Sequence, residues 1–269
     1  MSVGENKRIF PTAPIPPLWT VIFALLALVG LIAFFWGVSG TQSQRAWQAY
    51  LINYVFWTGL SFGSVLFVAV LNMADAIWGR PLKRLAEALG TFLPASFVLF
   101  WILYFGKEEI FPWIKQPLPE KQFWLNPGFM FARNGVGLFL LTALSLALIY
   151  YSVKGDKAMA RRAIGVNGAA EEFQGGASWR VQRILSPMIG IGYAFVLSLL
   201  AFDLIMSLDP HWYSTLFGAY YFIGSFYMAL AALDLLAWVC LKPLGLKETI
   251  HPHHLHDLGK EISLKKPAT

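Results

Sequence analysis

Apolar residues do not alternate with polar ones along this chain; they come in long runs. Six stretches, roughly 18–38, 46–77, 84–105, 130–152, 184–208 and 214–241, are almost free of charge. About 20 apolar residues are enough for a helix to cross a bilayer. A helix on a soluble domain shows an apolar stripe at i, i+3, i+4 and i+7 with polar positions between, and here the polar face is missing. The pattern predicts an all-α integral membrane protein of about six transmembrane helices. It divides into a leader 1–17, a transmembrane helical domain 18–241 and a tail 242–269. At 1.5 Å per residue the second run is long enough to tilt or to project from the bilayer.

Composition agrees: 57% of residues are hydrophobic and only 13% charged, against about 25% charged in soluble domains. The net charge of +6 does not indicate nucleic acid. The charges lie between the apolar runs, where topology signals sit, and not along one amphipathic face. Counted by side, 16 Lys and Arg fall with the leader, the 78–84 turn, the 153–183 loop and the tail, and 5 on the other side. The positive-inside rule then places both termini in the cytoplasm, consistent with an even number of spans. No cleavable signal peptide is expected from the leader, with Lys7, Arg8 and four prolines.

A single cysteine, Cys240, rules out an intrachain disulfide, a cysteine-ligated iron–sulfur cluster and covalent haem attachment. No His lies inside any span, so axial haem ligands are missing from the membrane. Any electron carrier is therefore expected in a partner. The ionisable groups in or beside the spans become the candidates, because charge in a bilayer is costly. Asp203 lies about one turn from the outer end of span five, with Ser207 at i+4, and Asp234 about two turns inside the inner end of span six. Asp75 and Glu87 flank an inner turn that carries Arg80, Lys83 and Arg84, where interfacial salt bridges are the simpler expectation. Asp203 reads equally as a local cap and as a proton-handling group. The outer turn Ser207–Tyr213 adds Asp209, Pro210, His211 and Trp212. A quinol headgroup needs a proton acceptor, a hydrogen-bond partner and aromatic walls, and this turn contains those residue types.

The loops differ in kind. The outer loop 106–129 is rich in Pro and Trp and is expected to hold a fixed shape at the interface. The inner loop 153–183 mixes basic residues with Glu171, Glu172, Gly175 and Gly176, as a solvated connector or a docking segment would. Gly59-Leu60-Ser61-Phe62-Gly63 is a small-xxx-small arrangement expected to serve close helix packing. The tail histidines His251, His253, His254 and His256 lack a recognised ligand spacing, so no metal site is assigned.

Four strings, Tyr54–Gly63, Pro119–Arg133, Phe202–Gly218 and His254–Lys260, resemble the ActF-type membrane subunit of alternative complex III. That complex is a bacterial quinol:cytochrome c oxidoreductase, and the subunit belongs to the NrfD/polysulfide-reductase membrane family. The likeness runs from about residue 10 to 260, and S-L-D-P-H-W-Y-S-T-L-F-G is its most specific part. The resemblance implies a multi-pass subunit of the bacterial plasma membrane with an NrfD-like four-helix bundle and flanking helices. Quinol or menaquinol would be the substrate. Haem and iron–sulfur centres would reside in partners: a multi-haem cytochrome c, an iron–sulfur subunit and a paralogous NrfD-like membrane subunit. By position it assigns quinol or proton-path roles to Asp203, Asp209 and His211; Asp75 and Asp234 are added on depth. Such subunits continue into four more spans after the H-D-L-G-K segment. Here Glu261–Thr269 is polar, so the second bundle is expected to be incomplete. Two other readings stay open on the residues alone: a secondary transporter, although no internal repeat is visible and only Pro94 and Pro187 interrupt spans, and a structural anchor for a soluble redox partner.

Overall fold

The computed structural model describes residues 17–76, 79–163 and 177–240. The leader up to residue 16, the centre of the 153–183 loop, and the tail with its histidines and the His254–Lys260 string lie outside the described residues. The protein is an all-α membrane protein: the described residues form helices and no strand. Six segments are long and apolar enough to span: Pro17–Ser39, Ser43–Met73, Leu82–Ile102, Pro127–Ala158, Ser178–Leu208 and Phe217–Cys240. They are spans one to six below. The even number leaves Pro17 and Cys240 on one side, here the terminal side, with the connections after spans one, three and five on the far side.

Spans two to five form an antiparallel four-helix bundle in which three packs on two and four, five packs on four and two, and two and five meet across it. Span six covers spans two and five from outside, and span one packs on the bundle along span two. Span two is thus the axis. Every residue from Thr58 to Val65 is buried, so even its small polar side chains face protein. Lipid tails are as apolar as leucine, so helices associate here by close packing and hydrogen bonds and not by hydrophobic transfer. A Cβ on Gly59 would sit 2.5 Å from Ser225 Oγ, and one on Gly63 would sit 2.6 Å from the Ser225 carbonyl oxygen. The expected small-residue seam therefore exists, and span six fills it. Span one is the opposite case: none of its residues is buried, and its far end is held by Phe34 against Trp47 and Tyr50, with ring centroids 5.2 Å apart in both pairs.

Several boundaries differ from the sequence pattern for identifiable reasons. Span three is two helices, Arg80–Gly90 and Leu93–Ile102, broken just before Pro94, whose ring cannot continue the preceding hydrogen-bond ladder. The helix of span four runs on to Ala163, about three turns into the expected 153–183 loop; most residues there are Lys, Arg, Ala or Met, good helix formers that an apolar-run criterion misses because charges interrupt them. On the terminal side span two ends at Met73, with Asp75 at a left-handed φ of 48°. The Ala76 amide donates to Leu71 O at 3.0 Å, the closing bond of a Schellman cap. Asp75 thus terminates a helix, a position Asp tolerates because its short polar side chain can bond locally. Asp75→Gly is expected to leave stability near wild type, whereas Asp75→Ile should cost about 1–3 kcal/mol for a β-branched residue in that region. Thermal unfolding of the two purified variants checks this; equal midpoints would contradict the cap.

Candidate functional site

The far end of the bundle is organised around Asp203. Span five does not finish as a regular helix: Ala201–Ile205 form one π-helical turn and Met206–Leu208 a 3₁₀ turn. Such a bulge is a common feature of functional or strained positions. Ser207 Oγ donates to Asp203 O at 2.6 Å, so the i+4 serine serves the backbone carbonyl and not the carboxylate. The other wall is the start of span four. Pro127 occupies the first helical position and Asn126 caps the helix, its Oδ1 accepting from Phe129 N at 3.1 Å. That start places Arg133 and Asn134 at the end of the second helical turn, facing Asp203.

Asp203 is 0% exposed, and its carboxylate accepts four hydrogen bonds. Oδ1 takes Trp124 Nε1 at 3.0 Å and Arg133 Nη2 at 2.5 Å; Oδ2 takes Arg133 Nε at 2.8 Å and Asn134 Nδ2 at 2.5 Å. Arg133 Nη1 also donates to Trp124 O at 3.0 Å, and its guanidinium lies 3.8 Å from the Trp124 ring and 4.8 Å from that of Phe129. A carboxylate offers about four acceptor sites, and all are filled. Asp203 spends its accepting capacity on the outer loop and span four. It is an anchor that ties the outer loop and span four to span five. A buried charge is tolerable only when paired and hydrogen-bonded in this way.

Beside the anchor lies a cavity of about 480 Å³ lined by Glu120, Lys121, Trp124, Ser207, Trp212 and Tyr213, among others. Lys121 Nζ donates to Pro210 O, which closes the loop over the turn. Trp212 and Tyr213 are exposed, with the Trp212 ring 5.4 Å from that of Phe217. Asp209 is exposed and its Oδ1 accepts from His211 N at 3.2 Å; it stabilises the turn, and exposed His211 stands at its tip. The outer loop does hold a fixed shape, but part of it turns inward: Ile110, Phe111 and Trp113 are buried.

The remaining candidates are elsewhere. Asp75 lies on the terminal side, more than half exposed, with Oδ2 3.7 Å from Arg183 Nη2. Its described partner is therefore on span five and not in its own turn. Glu87 pairs with Arg84, which also reaches Asp156; the expected interfacial salt bridge is present and draws in span four. Glu87 Oε1 and Ser152 Oγ are buried without a hydrogen-bond partner among the described residues. Next to them Lys83 Nζ donates to Gln182 Oε1 at 2.9 Å and to Asn72 Oδ1 at 3.2 Å. Asp234 is half-buried in span six, and no hydrogen bond or ion pair joins it to a described residue. The structure thus brings Asp203, Asp209 and His211 to the far end and leaves Asp75 and Asp234 at the terminal end.

Arg133, Asn134, Trp124, Glu120 and Lys121 are absent from the sequence-derived candidates. A signal existed for Arg133, the one Lys or Arg of the sparsely charged side that falls inside an apolar run, although its partner is 70 residues away.

Fold and site together define a class: a polytopic helical membrane protein whose far end is a loop-covered interfacial cavity anchored by a buried ion pair. Compared with protein-family models and with curated proteins, the chain matches none.

Proposed function

We infer that this chain is a membrane subunit of a bacterial quinol:cytochrome c oxidoreductase of the alternative complex III type, lying in the plasma membrane with its termini in the cytoplasm. In this reading the far side faces outward and electrons travel through the haem and iron–sulfur centres of partners. The chain contributes the quinol environment and a proton route. One observation carries the reading: two of the strings that resemble the family, Pro119–Arg133 and Phe202–Gly218, are distant in sequence but build a single cavity. They are joined by the Asp203 anchor and by the Lys121 to Pro210 contact. The bundle of four helices with flanking spans also agrees with what the resemblance implies.

Within this reading the roles divide by geometry. Arg133 and Asp203 hold the wall of the cavity. Trp124, Trp212 and Tyr213 supply aromatic surfaces for a planar headgroup. Glu120 and His211 are two accessible groups able to accept a quinol proton on the outward side, and exposed Asp209 is a third. Asp234, a membrane carboxylate with no hydrogen bond or ion pair to a described residue, is suited to a relay on the cytoplasmic side.

Purification in mild detergent from the native membrane, followed by a haem spectrum, is expected to yield a coloured assembly with cytochrome and iron–sulfur subunits. In that assembly Glu120→Gln and His211→Gln are tested singly. Loss of the operating base lowers quinol-dependent cytochrome reduction on the order of 10²-fold. A colourless solitary chain sinks the assignment, and full turnover in both variants removes Glu120 and His211 from proton transfer.

A further inference from the structure

Spans four and five leave a second cavity between them, on the lipid-facing surface and adjoining the interfacial one at Trp124. It is a groove of about 670 Å³ that begins at Trp124 and Arg133 and extends to Leu144 on span four and Gly192 on span five. From Arg133 to Leu144 a helix rises about 17 Å at 1.5 Å per residue. That is close to half of a hydrocarbon core about 30 Å thick, so the groove is one leaflet deep.

Its chemistry is graded along this depth. Below the mouth the lining is wholly apolar, with Val136, Leu140, Phe195 and Leu199 as walls and Gly137 and Gly192 keeping the floor low. At the mouth stands a guanidinium. Arg133 has five N–H donors: Nε and one on Nη2 serve Asp203, and one on Nη1 serves Trp124 O. Two N–H groups remain, on a side chain that is 11% exposed. The residues lining the groove include no carboxylate, and Asp203, behind Arg133, has every acceptor site occupied. The Trp124 indole is fixed against the same guanidinium at 3.8 Å, at the level where Trp and Arg meet lipid headgroups.

We propose that this groove is a specific site for one phospholipid of the far-side leaflet. One acyl chain lies along spans four and five, and a phosphate or ester oxygen accepts the two remaining Arg133 N–H groups. The one-leaflet depth suits an acyl chain, and a mouth with spare donors and no spare acceptor suits an anionic oxygen. The site shares Trp124 with the interfacial cavity but calls for no quinone or redox partner, so it stands or falls apart from the respiratory reading.

The test uses the full chain purified in mild detergent, with retained lipid extracted and quantified by mass spectrometry. About one phospholipid per chain is expected to survive washing that removes bulk lipid. Gly192→Leu fills the floor of the groove, and its Cβ meets only Leu141 Cδ1, a flexible side-chain tip, at 3.3 Å. This variant is expected to retain several-fold less phospholipid while unfolding at the wild-type temperature. As a second measurement on the unaltered protein, a phospholipid with a photoreactive acyl terminus should label peptides around Leu140–Leu144 and Gly192. Equal retention in both proteins, or labelling spread evenly over the lipid-facing helices including span one, overturns the proposal. So does finding a prenylated quinone as the retained lipid.

Discussion

Arg133→Ala is expected to destabilise the protein by about 3–5 kcal/mol, the usual cost of stranding one member of a buried ion pair. The change removes two of the four donors to the Asp203 carboxylate, which is 0% exposed and cannot turn to water. It also removes the stack on Trp124 and the donor to the Trp124 carbonyl, so the outer loop loses its tie to span four. Asp203→Asn should be milder, because the amide keeps one oxygen for Trp124 or Asn134 and leaves the cation only partly covered. Combining Arg133→Met with Asp203→Leu should recover much of the loss, since replacing a whole buried pair by apolar residues is often neutral. Recovery stays incomplete because Trp124 Nε1 and Asn134 Nδ2 lose their acceptor. Thermal unfolding of wild type, Arg133→Met, Asp203→Leu and their combination in one detergent gives the coupling energy; single variants within about 1 kcal/mol of wild type would show that the pair behaves as a surface bridge and is no anchor.

Gly63→Val is expected to be the most damaging change in the membrane core. A Cβ there would lie 2.6 Å from the Ser225 carbonyl oxygen and 2.8 Å from Ala229 Cβ. A backbone oxygen in a helix cannot step aside, so span six would have to move away from span two along their shared seam. Overpacking a fitted core costs about 1–3 kcal/mol for small insertions, and a β-branched side chain exceeds the first methyl. Because packing is the main force between helices in lipid, the separation also costs contacts above and below the glycine. Gly30→Ala is the control: a Cβ at that position on span one meets nothing within 4 Å, and helix propensity alone should make it neutral or slightly stabilising. Size-exclusion profiles and unfolding midpoints of the two variants decide the matter. Similar behaviour would mean that spans two and six are not held by close approach.

The phospholipid site and the Asp203 anchor share Arg133, so substituting Arg133 cannot separate them. Gly192→Leu can, because it leaves the ion pair untouched.

How far the sequence alone carried differs between the fold and the site. The six spans were legible because a bilayer sets a minimum apolar length, and that length is read along the chain without knowledge of any partner. Glu87 with Arg84 was legible too, as neighbours at i and i+3 on one helix. Asp75 as a helix terminator was not, since its left-handed backbone arises from the path the chain takes after span two. Nor was the role of Asp203 visible. Its depth marked it as costly, but whether a costly carboxylate moves protons or holds a structure depends on what faces it. Its partners Trp124, Arg133 and Asn134 come from a loop and a helix 69 to 79 residues away.

The sequence by itself therefore determined the class of protein, the number of crossings and the pairing of neighbours within a helix. These are local consequences of apolar length and of a 3.6-residue period. The tertiary structure alone decided which helix became the axis, which loop closed over the far end and which charge was neutralised. Those outcomes depend on the rotation of each helix about its own axis and on the π-helical turn at Ala201–Ile205, where a shift of one residue moves a side chain by about 100° and so changes the partner it meets.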